Sequence, residues 1–550
     1  MLATGAVGAG LATVAGSAPE SAAAPRGKRY FQHGVASGDP RPHQVIIWTR
    51  ITPTAASRPG SGKGPKVQVT WEVARDAKFN KIVRRGTFHT GPGRDHTVKL
   101  DVSGLKPATW YHYRFSYRGE RSRVGRTRTA PAKKSSPRNL RFGVVSCVNW
   151  QAGYFAAYRG VAARDDLHAV LCMGDYLYEY GPGGYGYGFD NVDIRRHDPP
   201  REMVSLEDYR RRHAQYKTDP DLQDAHAKYP FIVTWDDHEV ANDQWRGGAE
   251  NHQSGEGNYQ RRRARSHRAY DEWMPVRMNG TTKLGDGARL YRRLRFGRLA
   301  EISMLDLRTY RSKGIGGVPT PVPNPDAAVS NPNRTLTGKR QMAWLKKSLV
   351  RKRALWKVIG NPVMIAPVSF VQLPGDLLGP INDVTGLLPD DGFPYNTDQW
   401  DGYTHDRREV YNYIRNHHVE NALFITGDIH SGWAADLPYD IATYPLSGSA
   451  GVEFVCTSVT SNNLKDLIGA PRRTASLAVE TLIKANNRHI KYLNFDDHGF
   501  SVLDITAKRA QMDWYIIGDR AKKNTPITWT ASYLTRTGTN KVIKAKGPVR

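Results

Sequence analysis

The sequence predicts an α/β protein in two parts, a small N-terminal β-sandwich followed by a larger domain of alternating strands and helices. From about Pro65 to Thr129, short segments with alternating faces are separated by Gly, Pro, Asp and Asn turns, which is typical of a sandwich. After residue 140, continuous apolar segments alternate with amphipathic ones, as in a sheet buried on both faces. A chain of 550 residues is also too long for one ordinary core.

The N-terminal part is predicted to be an Ig/fibronectin III-like sandwich over residues 25–135. Its strands are KVQVTWEV, KIVRRGTF and HTVKLDV, and FQHGVASGDPRPHQVIIWTRITP adds one strand ahead of them. In the segment LKPATWYHYRFSYR, Leu105, Pro107 and Tyr111 resemble the turn and tyrosine corner of such sandwiches. The following stretch, TAPAKKSSPRN, is rich in Pro, Ser and Lys and lacks periodicity, so we place the domain boundary there.

The second part, residues 136–550, is predicted to contain an α/β sheet. The expected strands are Leu140–Ser146, HAVLCMGD, FIVTWDDHE, LAEISMLDLR, LWKVIGN and ENALFITGDIH. GYFAAYRGVAARDD, GKRQMAWLKKSLVR and DRREVYNYIRNHH have the pattern of helices between them. In such sheets, functional groups gather outside the carboxyl ends of the strands.

The first residues indicate export. Residues 1–24 are small and apolar and end in Ala22-Ala23-Ala24, as in a secretory signal peptide. Their weak hydrophobicity favours the twin-arginine route, with the arginine motif missing from this chain. No later segment approaches the ~18 apolar residues of a membrane span. We therefore expect a secreted protein without a transmembrane segment.

Charge and cysteine content narrow the function less. The 80 Lys and Arg against 52 Asp and Glu give a net charge of +28. This excess suits either a solvated surface or attraction of polyanions such as phosphate esters, wall polymer or anionic lipid. Three cysteines, Cys147, Cys172 and Cys456, form no disulfide framework. We interpret the last two as small buried apolar residues and leave Cys147 for another role.

Polar clusters stand at five successive strand ends. They are Ser146–Trp150, Gly174–Glu179, Trp235–Glu239, Gly360–Asn361 and Gly427–His430. Alone, each is compatible with a turn or a helix start. Together their Asp, His, Cys, Tyr and Asn side chains are the ligands of one harder and one softer cation. A carboxylate shared by two such ions would create a clamp for in-line phosphoryl displacement.

The motifs SCxNWQxGYF, GDYLYEYG, WDDHEVANDQW, LDLRTYR and TGDIHSGWA, in this order, resemble the alkaline phosphatase D (PhoD) family. That family belongs to the calcineurin-like and purple acid phosphatase-like metallophosphoesterases. The resemblance covers nearly the whole mature chain. It implies a four-layer α/β/β/α metallophosphoesterase domain behind the sandwich. It also implies an exported phosphomonoesterase or phosphodiesterase with Fe³⁺ and Ca²⁺, for which Zn²⁺ or Mn²⁺ could substitute.

The resemblance also implies a metal-ligand set. Asp175 would bridge the two metals, and Tyr178 and Cys147 would bind the iron. Asp237 would bind the second metal. Asp428 and His430 take the two positions of the last metal-binding motif, and the Asp suits calcium. The remaining expected ligand, Asn361, is placed by its strand-end position alone.

The same resemblance implies direct attack of a metal-bound hydroxide, without a phosphoenzyme. His238 would then stabilise or protonate the leaving oxygen. We expect Asn149, Arg308 and Arg311 either to clamp phosphate oxygens or to be paired structurally. The Gly/Tyr segment at residues 181–191 is expected to be a loop over the site.

Two alternatives remain open from the sequence. One is a phospholipase D-type phosphodiesterase of the same family, acting on phospholipid or wall-teichoic diesters with the same metals. The other is a polyanion-binding protein with an inactive catalytic domain, against which the intact ligand set argues. In every case the expected partner is a phosphate ester or polyanion, and no specific nucleic acid recognition is predicted.

Overall fold

Two large β-sheets organise the protein. The computed structural model describes residues 29–285, 289–315, 329–370 and 394–549, so the predicted signal peptide, residues 1–24, lies outside the described residues. The α/β class and the β-rich N-terminal region are confirmed. Each of the six apolar segments expected to form strands in the second part contains one.

The first sheet has ten strands in the described residues. In spatial order they are β22 (Val542–Lys544), β21 (Ile527–Arg536), β20 (Arg509–Ile517), β19 (Gly499–Thr506), β9 (Asn139–Val145), β10 (Ala169–Cys172), β11 (Pro230–Val233), β1 (Val35–Arg41), β2 (Gln44–Arg50) and β5 (Thr97–Ser103). Strands β9, β10, β11 and β1 run parallel to one another, so the first three end at one edge of the sheet.

The second sheet has seven strands in the described part of the chain. Its order is β12 (Arg292–Phe296), β13 (Ala300–Met304), β14 (Trp356–Asn361), β15 (Ala422–Thr426), β17 (Ser449–Val455), β16 (Gly432–Pro438) and β18 (Ile490–Asn494). Strands β13, β14, β15 and β17 are parallel. One apolar core contains residues of both sheets, including Phe142, Leu171, Ile302 and Phe454.

Helices cover the outer faces of the two sheets and form a further apolar core with each of them. They are α1 (Ala156–Ala163), α2 (Leu206–Tyr216), α3 (Pro220–Lys228), α4 (Tyr259–Trp273), α5 (Lys339–Leu349), α6 (Thr404–Asn416), α7 (Leu464–Leu467) and α8 (Ala475–Asn486). Residues of α1 to α4 pack with β10 and β11, and residues of α5 and α6 pack with β14 and β15. Helix α2 starts at a capping box formed by Ser205 and Asp208. No helix in the described ranges is both long and apolar enough to cross a membrane.

The N-terminal region contributes to two sheets rather than to one separate unit. Strands β4 (Ile82–Thr90), β3 (Val67–Ala74), β6 (Trp110–Tyr117) and β7 (Glu120–Arg121) form a small sheet, with β8 (Gly125–Arg128) pairing with β6. Strands β1, β2 and β5 instead extend the large sheet through the β1–β11 pair. The hydroxyl of Tyr111 accepts a hydrogen bond from the Lys106 amide at 2.8 Å, as a tyrosine corner requires. The boundary between residues 135 and 136 stays a prediction.

Buried polar contacts fix the N-terminal strands to helix α4. The Lys99 ammonium pairs with the Asp271 carboxylate, and both side chains are buried. The Trp48 indole donates to the Glu272 carbonyl at 2.9 Å. Arg277, just after α4, pairs with Asp101 on β5 at 2.6 Å. These contacts hold the region against the helices that support the strand ends described next.

Candidate metal centre

The predicted strand-end clusters meet in one place. Cys147 follows β9, Asp175 follows β10 and His430 follows β15 of the facing sheet. One ligand atom from each of these three residues lies within 4.8 Å of the others. The parallel run of β9 and β10 explains the first two, because their carboxyl ends share an edge.

The backbone at these positions is strained. Cys147, Asp175, Asp428 and His430 have φ of 60°, 53°, 65° and 52°. Residues other than glycine rarely adopt this left-handed conformation, which costs on the order of 1–3 kcal/mol each. Such residues cluster at functional sites. Before Asp175, Gly174 has a φ of 108°, and a Cβ there would lie 2.6 Å from that of Asp236. The turn is therefore built to bring Asp175 against the neighbouring strand end.

One half of the site, called the softer half below, contains the phenol of Tyr178, the thiol of Cys147 and the imidazole of His430. The Tyr178 hydroxyl donates to Asp175 Oδ2 at 2.9 Å and lies 3.2 Å from His430 Nε2. His430 Nδ1 lies 2.7 Å from the carbonyl oxygen of Asn462 and so carries the proton. His430 Nε2 therefore faces the cluster with its lone pair. The Cys147 sulfur lies 3.0 Å from Ser146 Oγ.

The acidic groups of this half are buried, and His238 is the nearby cation that opposes the rise in the pKa of Asp175. Asp175 is 1% exposed, and its Oδ1 has no hydrogen-bond partner among the described residues. Burial, and then the carboxylates of Asp237 and Asp236, raise the pKa of Asp175 well above its usual value. Burial, with Asp175 and Asp428, likewise raises the pKa of the Cys147 thiol. A cation would reverse both shifts, since it stabilises carboxylate and thiolate directly. The donor set and the orphaned oxygen thus fit a metal.

The other half, called the harder half below, is built from the carboxylates of four aspartates. Oxygens of Asp175, Asp236, Asp237 and Asp428 lie within 4.8 Å of one another, so Asp175 belongs to both halves. Asp237 also groups with Asp243 and Asp398 at the same spacing. Burial raises the pKa of Asp428 to about 6. Oxygen-only ligands of this kind suit a hard cation such as Ca²⁺.

Arg308 lies inside the harder half, where it pairs with carboxylates, and a direct contact with phosphate stays a prediction. Its side chain is fully buried, and Nε and Nη2 both bond Asp236. Nη2 also donates to Asp428 at 2.9 Å and Nη1 to Asp398 at 2.8 Å. With all three nitrogens occupied, Arg308 neutralises carboxylates. This is the structural pairing that the sequence analysis left open.

The side chains of Asn149 and Asn361 are hydrogen-bonded within the protein, and their roles at phosphate and at the metal stay predictions. Asn149 Nδ2 donates to the Tyr185 carbonyl at 2.7 Å and Oδ1 accepts from the Gln151 amide at 3.0 Å. Asn361 Oδ1, the atom that would bind a metal, accepts from the Trp400 indole at 3.0 Å. Asn149 therefore orders a loop, and Asn361 is a buried amide whose oxygen is held by Trp400.

The His238 ring lies beside the candidate ligands and is held in one orientation. Its Nδ1 lies 2.8 Å from Glu179 Oε2, and its ring packs 4.0 Å from that of Tyr178, centroid to centroid. Glu179 Oε1 accepts from the Asn242 amide and the Asn251 side chain at 2.7 and 2.8 Å. With Nδ1 directed at Glu179, Nε2 is the atom left for substrate.

The Gly/Tyr segment packs against the site, as expected. The Tyr185 hydroxyl lies 3.4 Å from His430 Nδ1, and its ring stacks on Tyr178. The Gly188 amide donates to Asn462 Oδ1 at 3.0 Å. Asn462 thus holds both the segment and His430, a role that sequence reasoning missed.

Other functional residues were also missed. Glu179 stands in a quoted motif, but nothing in the sequence shows that it pairs with His238. Asp398 follows no predicted strand, yet its carboxylate pairs with Arg308 and Arg311 at 2.8 and 2.6 Å. Asp236 adjoins the expected ligand Asp237, and adjacency alone gave no reason to choose both.

Comparisons with known proteins find similar phosphatases. The model of the "PhoD-like phosphatase" family matches residues 142–514, and that of the "PhoD-like phosphatase, N-terminal domain" matches residues 16–131. Alkaline phosphatase D of Bacillus subtilis (strain 168) is 37% identical over 524 residues, which are 94% of this chain and 84% of that protein. A solved structure of PhoD superposes with a TM-score of 0.82 at 34% identity, covering 95% of this chain and 93% of that one.

Proposed function

The chain belongs to the PhoD-like phosphatase family and is a phosphoric ester hydrolase, and we propose that it works through an iron–calcium pair. The observation that carries the proposal is the position of Asp175. Among the described residues, it is the one shared by the Cys147–His430 group and the group of Asp236, Asp237 and Asp428. A buried carboxylate common to a soft and a hard ligand set is suited to bridge two unlike cations.

The ligand chemistry supports the assignment of each ion. Cys147, Tyr178 and His430 offer thiolate, phenolate and imidazole, which favour Fe³⁺. Asp237 and Asp428 offer only oxygen, which favours Ca²⁺. Bound there, the two ions would supply the Lewis acidity that ionises an attacking water and the charge that neutralises phosphate oxygens.

Side chains of the protein would then transfer the proton and hold the proton donor in its orientation. Water adds to phosphorus, the P–O ester bond breaks opposite to it, and the alcohol leaves with a proton. His238 is placed to give that proton from Nε2, because Glu179 accepts from Nδ1 at 2.8 Å and holds the ring. Tyr178 and Tyr185 cover the ring of His238 and exclude water from one side.

The wider predictions rest on the same family membership. The core shared by the two sheets, with helices on both outer faces, supports a four-layer α/β/β/α catalytic domain. The Tyr111 corner supports an Ig/fibronectin III-like relation for the N-terminal strands. Export by the twin-arginine route stays a prediction, as do the preference between monoesters and diesters and the phospholipase D-type alternative.

Metal analysis combined with two assays tests the proposal. We expect purified protein to contain iron and calcium and to hydrolyse p-nitrophenyl phosphate or bis-p-nitrophenyl phosphate. Asp175→Asn should lose both metals and activity together, because one carboxylate serves both sites. Hydrolysis by protein that contains neither ion would contradict the metal assignment. Absence of hydrolysis in metal-loaded protein would favour the polyanion-binding alternative.

A further inference from the structure

A cleft of about 700 Å³ opens beside the carboxylates of the harder half. Asp243 and Asp398 line it at one side, and Trp245, Arg311 and Ile315 continue the wall. This volume is far larger than one phosphate group requires, and lies in the range of sites for drug-sized ligands, about 300–1,000 Å³. The cleft therefore has room for the organic part of an ester whose phosphorus lies at the carboxylates.

Trp245 lies in this cleft with one side of its indole against a diglycine turn. Trp245 pairs with Gly248 in a tight hairpin, with an amide-to-carbonyl bond of 2.8 Å. A Cβ at Gly247 would lie 2.3 Å from the Trp245 ring, and a Cβ at Gly248 would lie 2.9 Å from it. Only glycines let the ring rest so close to the backbone. The ring is thereby fixed in place and half-buried at the cleft wall.

Arg311 packs behind the same wall and is held in place by its partners. It is fully buried; Nη1 pairs with Asp398 at 2.6 Å and Nε donates to the Gln244 carbonyl at 2.7 Å. Its Nη2 has no hydrogen-bond partner among the described residues. This nitrogen is itself buried and does not face the cleft, so Arg311 contributes to the wall by holding Asp398 in place.

We propose that the cleft is the leaving-group subsite and that Trp245 stacks on a ring in the alcohol part of the substrate. The ligand class is a phosphate ester whose alcohol part carries a ring, either a nucleoside or a sugar. Both rings present a flat face to an indole, and stacking of bases on aromatic side chains contributes about 1–3 kcal/mol. The inference rests on the proposed function, because it takes the carboxylate cluster as the place of the phosphorus.

Steady-state kinetics with three monoesters tests the subsite, with phosphate release as the common readout. Thymidine 5′-phosphate supplies a nucleoside, glucose 6-phosphate a sugar, and methyl phosphate no ring. We expect Trp245→Ala to lower kcat/KM about 10-fold, through KM, for at least one ring ester, which follows from about 1.4 kcal/mol of stacking. Methyl phosphate should be unaffected. The ring ester that is affected identifies the nucleoside or the sugar as the source.

Further variants separate stacking from folding. Trp245→Phe should retain most of the ring-ester preference, and Gly247→Ala should lose it, because the new Cβ displaces the indole. Trp529→Ala removes a Trp that is 43% exposed on β21 and does not line the cleft, and should change nothing. An equal loss for methyl phosphate, or no loss for either ring ester, would overturn the subsite.

A binding measurement keeps the two proposals apart. The phosphonate analogue of thymidine 5′-phosphate and that of glucose 6-phosphate, in which methylene replaces the ester oxygen, are titrated calorimetrically into the metal-loaded protein. Binding of either analogue that weakens about 10-fold in Trp245→Ala supports the subsite even if no ester is hydrolysed. Equal binding of both analogues by Trp245→Ala and the unaltered protein overturns it, even if hydrolysis proceeds.

Discussion

Substitution of Arg308 by Met tests whether this guanidinium holds the harder half together. Its side chain is fully buried between the carboxylates of Asp236, Asp398 and Asp428, at 2.8–2.9 Å from Nη1 and Nη2. Asp237 lies 3.5 Å from Nη1. Met reproduces the apolar stem of Arg to about the position of Nε, so the variant removes the guanidinium with its charge and hydrogen bonds and keeps the packing of the stem.

The size of the effect follows from the charges. Four carboxylates surround Arg308, and Arg311 pairs with one of them, so that the ionised group carries two uncompensated negative charges. Removal of one partner from a buried ion pair costs about 3–5 kcal/mol. We therefore expect the free energy of unfolding of Arg308→Met to fall by at least about 3 kcal/mol in chelator. Calcium binding should restore part of this, about 2.7 kcal/mol at a concentration of 100 Kd.

Urea unfolding in EGTA and in excess calcium measures both terms. Arg201→Met is the matched control, since Arg201 is 56% exposed and pairs with Asp208 at 2.7 Å. Such a surface pair contributes about 0–1 kcal/mol. If Arg308→Met were destabilised no more than Arg201→Met, Arg308 would not be the neutralising group. If excess calcium stabilised neither the unaltered protein nor Arg308→Met, the carboxylates would not form the calcium site.

Further predictions concern the softer half, the proton donor and pH. Loaded protein should show a broad visible band from phenolate-to-iron charge transfer that disappears in a folded Tyr178→Phe; a colourless, active zinc enzyme would refute the iron. Cys147→Ser should lose iron and most activity by metal analysis and assay, while Cys172→Ser should affect only stability; equal behaviour would remove Cys147 from the ligand set. His238→Ala should keep both metals and lose about 10²–10⁴-fold in kcat, less for p-nitrophenyl phosphate than for an alkyl ester; equal losses would exclude the acid role. Burial lowers the pKa of Lys217 to about 7, against about 10.4 unfolded, so the unfolded chain binds one more proton between these values. Unfolding free energy should therefore rise with pH in that window by about 1.4 kcal/mol per unit more than in Lys217→Met, as measured by urea titrations; parallel profiles would contradict the shift.

The strand-end logic explains what the sequence could predict. Cys147, Asp175 and His430 follow continuous apolar strands, and parallel strands bring their carboxyl ends to a common edge. Those three residues were predicted and do lie together. Tyr178 was predicted from its motif, and its hydroxyl reaches Asp175 and His430. Position along the chain was sufficient to bring together Cys147, Asp175 and His430, each of which lies within four residues of a strand end.

The hydrogen-bond and ion-pair partners of these side chains could not be predicted from their positions in the sequence. Asn361 ends a strand as the ligands do, but its Oδ1 is taken by Trp400, 39 residues away. Arg308 was a candidate for phosphate because its motif is near the site, yet the carboxylates that surround it come from three separate segments. Whether a polar group is free or occupied depends on tertiary contacts, and the sequence carries no local signal for them.

The four strained residues at the site bear on why these side chains are there. At about 1–3 kcal/mol each, left-handed φ at Cys147, Asp175, Asp428 and His430 costs a large part of the 5–15 kcal/mol that stabilises a typical domain. Burial adds to the cost, because it raises the pKa of Asp175 and leaves Oδ1 without a partner among the described residues. Neither cost improves packing, since glycine or asparagine would satisfy these turns with less strain and no buried charge. A cation bound by the four side chains would offset both costs, so the strain and the buried charge together support the proposed metal centre.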